Sequence, residues 1–214
     1  MRKALLVALA VMMCGYYAVA QDYPKAELFG GFNVTHLDTE GIQGKLGLPS
    51  TVSIKTWYPG WEIAGQYNLT KMFGIEGDFS GNYGKPLSIT GVTGLPSARA
   101  YTFLFGPVVS LRGEHMTPFV HGLFGGNHAS VDASAVAGTP AGSETSFALA
   151  IGGGLDWKLT HHFAVRVGQF DYLYTNHCGN FGALTANRCT LGLPGEGIPA
   201  HQNNFRFATG IVIH

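Results

Sequence analysis

A histidine and a serine two positions apart, His128 and Ser130, and the later Glu144 are the residues whose types suggest catalysis. A serine that is activated by a histidine, which a carboxylate orients, could attack an ester. The surrounding residues, Gly125 to Val131, are small or polar, and Glu144 lies in a long connection. Because short motifs of this kind often arise by chance, we interpret the group as a polar rim where a strand ends. We therefore expect no catalytic residue.

Two cysteines, Cys178 and Cys189, lie in the longest connection of the chain. In an exported protein they are a candidate disulfide, which would contribute about 3 kcal/mol to stability. Free thiols and a metal site that includes His177 are the alternatives. Structural zinc requires four ligands, and the neighbouring sequence offers no second histidine. We expect no metal and no other cofactor.

Charged residues alternate with bulky apolar residues in several segments, which suggests that they share one enclosed face. Losing one member of a buried ion pair costs about 3–5 kcal/mol, so acids and bases on such a face should pair. The preferred acids are Glu76 and Asp78, and the preferred bases are Arg166 and Arg206. Glu62, Gln66 and Asn82 share this face. The candidates for an interior polar network are Glu76, Asp78, Asp156, Lys158, Arg166, Gln169, Asp171 and Arg206.

Arg166 and Gln169 have an odd spacing, so a regular strand cannot direct both side chains inward. Gly168 lies between them and favours a one-residue bulge that would restore the phase. His121 also falls on the inward face, where a single histidine is usually a hydrogen-bonded core residue.

The elements that must position these residues are β-strands. From Phe147 to Leu159, large apolar side chains occupy alternate positions, and the positions between them are small or charged. Ala and Gly suit the inside of a narrow barrel, so the apolar face should point outward, to lipid. Interfacial aromatics are expected at strand ends, at Trp61, Tyr67, Tyr83, Tyr101, Trp157 and Tyr174.

Eight alternating segments are recognisable, each near the ~9–11 residues that a tilted strand needs to cross a bilayer. Short and long connections alternate between them, which is typical of an outer-membrane barrel. Pro107 and Pro118 fit less well, and for Pro107 we expect a bulge or a locally unpaired position. The segments are Lys25–Leu37, Gly60–Leu69, Phe73–Tyr83, Arg99–Leu111, Thr117–His128, Phe147–Leu159, Phe163–Tyr174 and Asn204–His214.

Composition agrees with an exported membrane barrel. Only 12% of residues are charged and the formal net charge is zero, which argues against a nucleic-acid partner. Residues 1–20 have the basic start, apolar stretch and Ala18-Val-Ala20 cleavage site of a signal peptide. We expect cleavage after Ala20, one domain over residues 21–214, and no spanning helix.

Several stretches resemble the "outer membrane protein beta-barrel domain" family, of the small OmpA/OmpX-like kind. They are Lys25 to Phe32, Trp61 to Thr70, Tyr101 to Pro107, Thr117 to His121 and Asn203 to Phe207. The resemblance covers essentially all of the mature chain. It implies an all-β, eight-stranded antiparallel up-and-down transmembrane barrel with short periplasmic turns and long extracellular loops. It defines no catalytic residue.

The resemblance also implies insertion by the barrel assembly machinery, which usually recognises a terminal aromatic residue. This chain instead ends Gly210-Ile-Val-Ile-His214, so we expect weaker recognition or a longer natural C-terminus. The arrangement of His128 and Ser130 resembles the site of outer-membrane lipid A deacylases, but the longer motif of those enzymes is missing.

Four functions follow from these observations. We favour a non-enzymatic, monomeric outer-membrane barrel with a filled lumen that contacts lipids and meets extracellular partners through its loops. The alternatives are a narrow pore, a lipid A-modifying hydrolase that uses His128 and Ser130, and a soluble barrel that carries a lipid inside.

Overall fold

The computed structural model describes residues 23–37, 52–54, 56–85, 87–89, 97–132, 142–176 and 201–214. These residues form a closed antiparallel barrel of eight strands, as predicted, and a separate two-stranded sheet. The described residues include no helix long and apolar enough to cross a membrane. The strands are β1 (Ala26–His36), β2 (Val52–Ile54), β3 (Trp57–Asn68), β4 (Phe73–Gly84), β5 (Leu87–Ile89), β6 (Ser97–Ser110), β7 (Met116–Asp132), β8 (Gly142–Lys158), β9 (Phe163–Asn176) and β10 (His201–Ile213).

Neighbours in the barrel are neighbours in the chain, and β1 pairs with β10 to close the wall. All eight predicted segments coincide with barrel strands, although β7 and β8 are each 17 residues long and extend beyond the predicted bounds. Two further strands, β2 and β5, were not predicted from the sequence and pair with each other antiparallel. They lie in two of the long connections, so those two connections are joined by backbone hydrogen bonds.

The short connections all lie at one end of the barrel, the turn end, and the long ones at the other, the loop end. Two turns share the sequence Leu-Thr-x-x-Phe, at Leu69–Phe73 and Leu159–Phe163. In each turn the threonine hydroxyl accepts a hydrogen bond from the phenylalanine N–H, at 2.9 Å in the first and 3.2 Å in the second. A threonine side chain that bonds its own backbone stabilises such a reversal, so the same residues make the same turn twice.

The predicted orientation of the two faces is confirmed. Phe103, Ile151 and Phe205 are more than half exposed on the outside, whereas Glu76, Asp78 and Arg206 are buried within the lumen. This arrangement is opposite to that of a soluble lipid carrier, which would enclose the apolar side chains. Arg99 is a charged residue on the otherwise apolar outer face. It is exposed two positions before Tyr101, at the loop end.

The core of the protein lies inside the barrel. An apolar cluster toward the turn end contains Phe29, Ala164 and Val212, and another toward the loop end contains Leu104, Leu123 and Leu173. Half of the residues in the two clusters are alanines, whose small side chains fit a narrow lumen, as the alternation predicted. Most of the buried charged side chains lie between the two clusters, whereas Glu27 lies at the turn end.

The two local irregularities expected from the sequence are present. On β9, Arg166 pairs with Asp156 and Gly168 pairs with Leu155, so Val167 is the extra residue of a bulge. This bulge lets both Arg166 and Gln169 point inward. On β6, pairing with β7 is interrupted between Phe105 and Val108 without a change of register. Pro107 is therefore unpaired on the β7 side, while on its other side it pairs with Ile75 of β4.

Candidate functional site

Arg206 on β10 is the centre of a buried ion-pair network across the lumen. It is 1% exposed, and its guanidinium nitrogens donate to Asp171 at 2.7 and 2.9 Å and to Asp78 at 2.9 Å. The same group lies 3.4 Å from Glu62. Since β4 and β9 are on opposite sides of the barrel, Arg206 joins opposite walls.

A second branch of the network runs through β9 toward the turn end. Arg166 binds Asp156 through two nitrogens, at 2.8 and 3.1 Å, and donates a third hydrogen bond to Gln169 at 2.7 Å. Its guanidinium plane lies between the rings of Phe29 and Phe119, with centroids at 4.3 and 4.2 Å. The arginine therefore has a counter-charge in Asp156 and cation–π contacts with two aromatic rings.

Gln169 connects the two arginine branches. Its amide nitrogen donates to Glu62 at 3.0 Å and to Asp171 at 2.8 Å, and its amide oxygen accepts from Arg166. Without the bulge this side chain would point outward, so the backbone irregularity makes the network continuous.

His121 on β7 forms the third branch. One ring nitrogen lies 3.2 Å from Glu76, and the other lies 2.9 Å from Asp171. A neutral imidazole carries one N–H, so two carboxyl partners require one further proton on the histidine or on an acid. The histidine has the hydrogen-bonded core position expected from the sequence.

Acids outnumber bases in the network. Five carboxyl groups, at Glu62, Glu76, Asp78, Asp156 and Asp171, face two arginines and one histidine. Two buried carboxyl oxygens, Oε2 of Glu62 and Oδ2 of Asp78, have no hydrogen-bond partner among the described residues. Removing either arginine would therefore leave several acids without a counter-charge.

The structure brings together seven of the eight predicted network residues, and Lys158 is the exception. Lys158 lies at the turn end, half-buried, and its ammonium group donates to the backbone carbonyl of Gly113 at 2.8 Å. The expected partners of Arg166 were also wrong, since Arg166 binds Asp156 rather than Glu76 or Asp78. Alternation predicts which face a residue occupies but not which residue lies opposite it.

A second polar cluster, which the sequence analysis missed, lies at the turn end. Arg112 contacts Glu27 at 2.6 Å, and Asn68 donates to the same carboxylate at 2.8 Å. Gln66 in turn donates to Asn68 at 2.7 Å. Glu27 is the second residue of β1 and Arg112 follows β6, so this cluster packs across the turn end of the lumen.

The lumen is not filled along its whole length, contrary to our expectation. A cavity of about 180 Å³ lies inside the loop end, with Thr35, Tyr58 and Asn82 among its lining residues. The cavity exists because inward residues such as Ala98 and Ala100 on β6 have side chains too small to fill it.

Of the three residues considered for catalysis, the structure describes the side chains of His128 and Ser130. Nδ1 of His128 bonds the hydroxyl of Thr145 at 2.8 Å, and the described part of the chain shows no hydrogen bond between His128 and Ser130. The side chain of Glu144 and the two cysteines, Cys178 and Cys189, lie outside what the structure describes. Among the described residues no group of three or more His, Cys, Asp or Glu side chains could hold a metal.

The six predicted interfacial aromatics all lie on the outer wall. Tyr67 and Trp157 are exposed near the turn end. Toward the loop end, Trp61 donates to the hydroxyl of Tyr83 at 3.1 Å, which donates to that of Tyr101 at 3.3 Å. Tyr174, also toward the loop end, is half-buried.

Two solved structures have a similar fold. Ail, the attachment invasion locus protein of Yersinia pestis, is 14% identical, with a TM-score of 0.52 over 87% of this chain and 97% of its own. Neisserial surface protein A is 11% identical, with a TM-score of 0.52 over 89% of this chain and 97% of its own. At these identities the likeness concerns the fold alone. No curated protein matches the chain.

The sequence itself matches the family described as "Outer membrane protein beta-barrel domain" over residues 6–194. This range includes seven of the eight barrel strands and most of the charged residues of the lumen. Barrels of this class place short turns in the periplasm and long loops outside the cell. The chain belongs to the outer membrane protein β-barrel domain family.

Proposed function

We propose that this outer-membrane protein is a closed, non-conducting and non-enzymatic barrel that acts at the cell surface through its long loops. The observation that carries this proposal is the ion-pair network centred on Arg206. The network occupies the middle of the lumen, and its members come from six of the eight barrel strands.

The lumen is closed because these contacts connect opposite walls of the barrel. Arg206 connects Asp78 on β4 with Asp171 on β9, which are opposite strands of the barrel. His121 adds a link between Glu76 and Asp171. Because an eight-stranded barrel has room for little more than its side chains, such a network leaves no continuous water path.

A role at the surface is supported by the length of the strands. A tilted strand crosses the bilayer in about 9–11 residues, whereas β7 and β8 each have 17. They remain paired as far as Val131 and Gly142, so this hairpin extends beyond the membrane on the loop side. Pairing of β2 with β5 ties two further connections together on the same side.

Planar-bilayer recording tests closure. We expect no conductance steps from the wild-type barrel. The double substitution Arg206→Ala, Asp171→Ala should open a water path through the middle of the lumen and give measurable conductance. Regular conductance steps from the wild-type protein would overturn the proposal and favour the narrow pore.

Cysteine labelling in whole cells tests surface exposure. In a variant without Cys178 and Cys189, a membrane-impermeant maleimide should label Ser143→Cys at the loop end. Glu114→Cys at the turn end is the matched control and should be labelled only after lysis. The reverse pattern would place the loops in the periplasm and refute a role at the surface.

Lipid A analysis tests the absence of hydrolase activity. Cells that produce the wild-type protein should have the same lipid A acylation as cells that produce Ser130→Ala. A loss of acyl chains that depends on Ser130 would show that the barrel is an enzyme.

A further inference from the structure

The cavity at the loop end is bounded by side chains from most of the barrel strands. Its volume is about 180 Å³, and its lining includes Thr102 of β6. Thr102 pairs with Ser80 of β4, which accepts a hydrogen bond from Arg206 at 3.0 Å. The lining side chains that carry hydrogen-bonding atoms include Thr35, Tyr58, Asn82, Thr102, Asn127 and Thr175. The space is thus a cup with a largely apolar wall that carries several hydrogen-bonding groups, and the network around Arg206 lies on its turn-end side.

Several of these polar groups retain unused hydrogen-bonding capacity. Thr35 is 4% exposed, and its hydroxyl has no hydrogen-bond partner among the described residues. Asn127 donates to the hydroxyl of Thr102 at 2.9 Å, and Asn204 donates to that of Thr175 at 3.3 Å. A threonine that accepts a hydrogen bond still has its own hydrogen to donate. Buried polar atoms in natural proteins are generally paired, so these groups are available to water or to a polar ligand that displaces the water.

An aromatic ring and aliphatic groups complete the wall. Tyr58 is 6% exposed, and its ring packs on Gly84 so closely that a Cβ there would lie 2.6 Å from the ring. Leu173 and Ala100 line the same space. An occupant must therefore present an apolar surface as well as hydroxyl-like donors and acceptors.

Charge and size narrow the choice of occupant. The lining residues include no acid, and Arg99 contributes from the exposed rim, so the described interior of the cup is neutral. An enclosed cavity of about 150 Å³ holds one benzene ring, so the present space of about 180 Å³ has the size of a single ring.

We propose that the extracellular mouth of the lumen is a binding site for one neutral sugar ring, held by the threonine and asparagine side chains and by Tyr58. A pyranose is uncharged, carries hydroxyls that both donate and accept, and has an apolar C–H surface. The site requires the closed floor of the lumen but not the surface role proposed above.

Titration of the refolded full-length barrel tests this site. The detergent should be a simple amine oxide, because detergents with sugar headgroups would compete. Glucose, galactose and N-acetylglucosamine are added separately, and NMR follows the side-chain amides of Asn82 and Asn127. We expect saturable shifts with at least one neutral sugar and weaker binding of the charged analogues glucuronate and glucosamine.

Substitutions locate the site. Tyr58→Phe and Thr35→Val each remove one hydroxyl with little change of shape and should weaken binding about three- to tenfold, the effect of one neutral hydrogen bond. Thr117→Val is the matched control. Thr117 is also a buried threonine whose hydroxyl has no partner among the described residues, but it lies near the turn end. It should leave binding unchanged.

Three results would overturn the proposal: no saturable shift with any neutral sugar, equal or tighter binding of a charged analogue, or the same loss in Thr117→Val as in Thr35→Val. Gel migration before and after heating shows whether each variant is folded. Conductance measured on the same preparation tests the closed lumen separately, so failure of one proposal is distinguishable from failure of the other.

Discussion

Arg206 and Asp171 are direct neighbours on adjacent strands, and two guanidinium nitrogens of Arg206 bind the same carboxylate oxygen. Arg206→Met would leave Asp171, Asp78 and Glu62 without this counter-charge in a buried site. We expect a loss of about 3–5 kcal/mol in the free energy of unfolding, measured by urea titration in phospholipid vesicles. Lys158→Met is the control and should cost less than about 1 kcal/mol, because Lys158 lies at the half-buried rim. Equal losses in the two variants would contradict a central role for Arg206.

Gly152 packs against Asp171 of the network, and the close approach leaves no room for a side chain at this position. A Cβ at this position would lie 2.1 Å from Oδ1 of Asp171 and 2.4 Å from the carbonyl oxygen of Phe170. Gly152→Ala should therefore displace Asp171 and destabilise the barrel by about 1–3 kcal/mol. Gly65→Ala is the matched control, since a Cβ there meets no atom within 4 Å. If both variants unfold at the wild-type urea concentration, the interior is looser than the structure shows.

Ile151 is 58% exposed near the middle of β8 and should contact the hydrocarbon core of the membrane. Ile151→Arg should cost about 2–4 kcal/mol in vesicles, the cost of arginine at the bilayer midplane. Leu159→Arg, in the turn after β8, should cost about 0–1 kcal/mol, since the side chain there reaches the interface. If Ile151→Arg leaves the free energy of unfolding unchanged, this face does not contact lipid.

Cys178 and Cys189 are predicted to form a disulfide in the mature protein. Intact mass spectrometry of protein purified without reductant should show a mass that rises by two hydrogen atoms after reduction. Thiol labelling before reduction should be negligible, and the variant Cys178→Ser should expose one reactive thiol at Cys189. Labelling of both cysteines in the untreated wild-type protein would exclude the bond.

Alternation along single strands was sufficient to predict much of the fold. It separated Phe103 and Ile151 on the outside from Asp78 and Arg206 within, because the two faces of a strand require different residue types. The bulge at Val167 was also foreseeable, since Arg166 and Gln169 could not otherwise share a face. Both predictions depend on the chemistry of neighbouring residues in the chain.

Contacts between strands could not be predicted in this way. Asp156 faces Arg166 because of the register between β8 and β9, which depends on the stagger of the whole barrel. The same limit explains why Arg166 was assigned the wrong acids. Alternation along β8 places Lys158 on the inward face, but Lys158 is the last residue of the strand. Its side chain therefore lies at the rim of the barrel and is only half-buried. The three-residue strands β2 and β5 are too short to show a period.

The pairing of β1 with β10 has a consequence for biogenesis. The register joins Leu28 to Ile213, so the last strand of the wall must find the first. Contacts between residues this far apart in sequence form slowly. Until they form, the outer edges of β1 and β10 remain open to pairing with other chains. A chaperone that shields these edges during transit would protect the nascent chain from aggregation until the circle is complete.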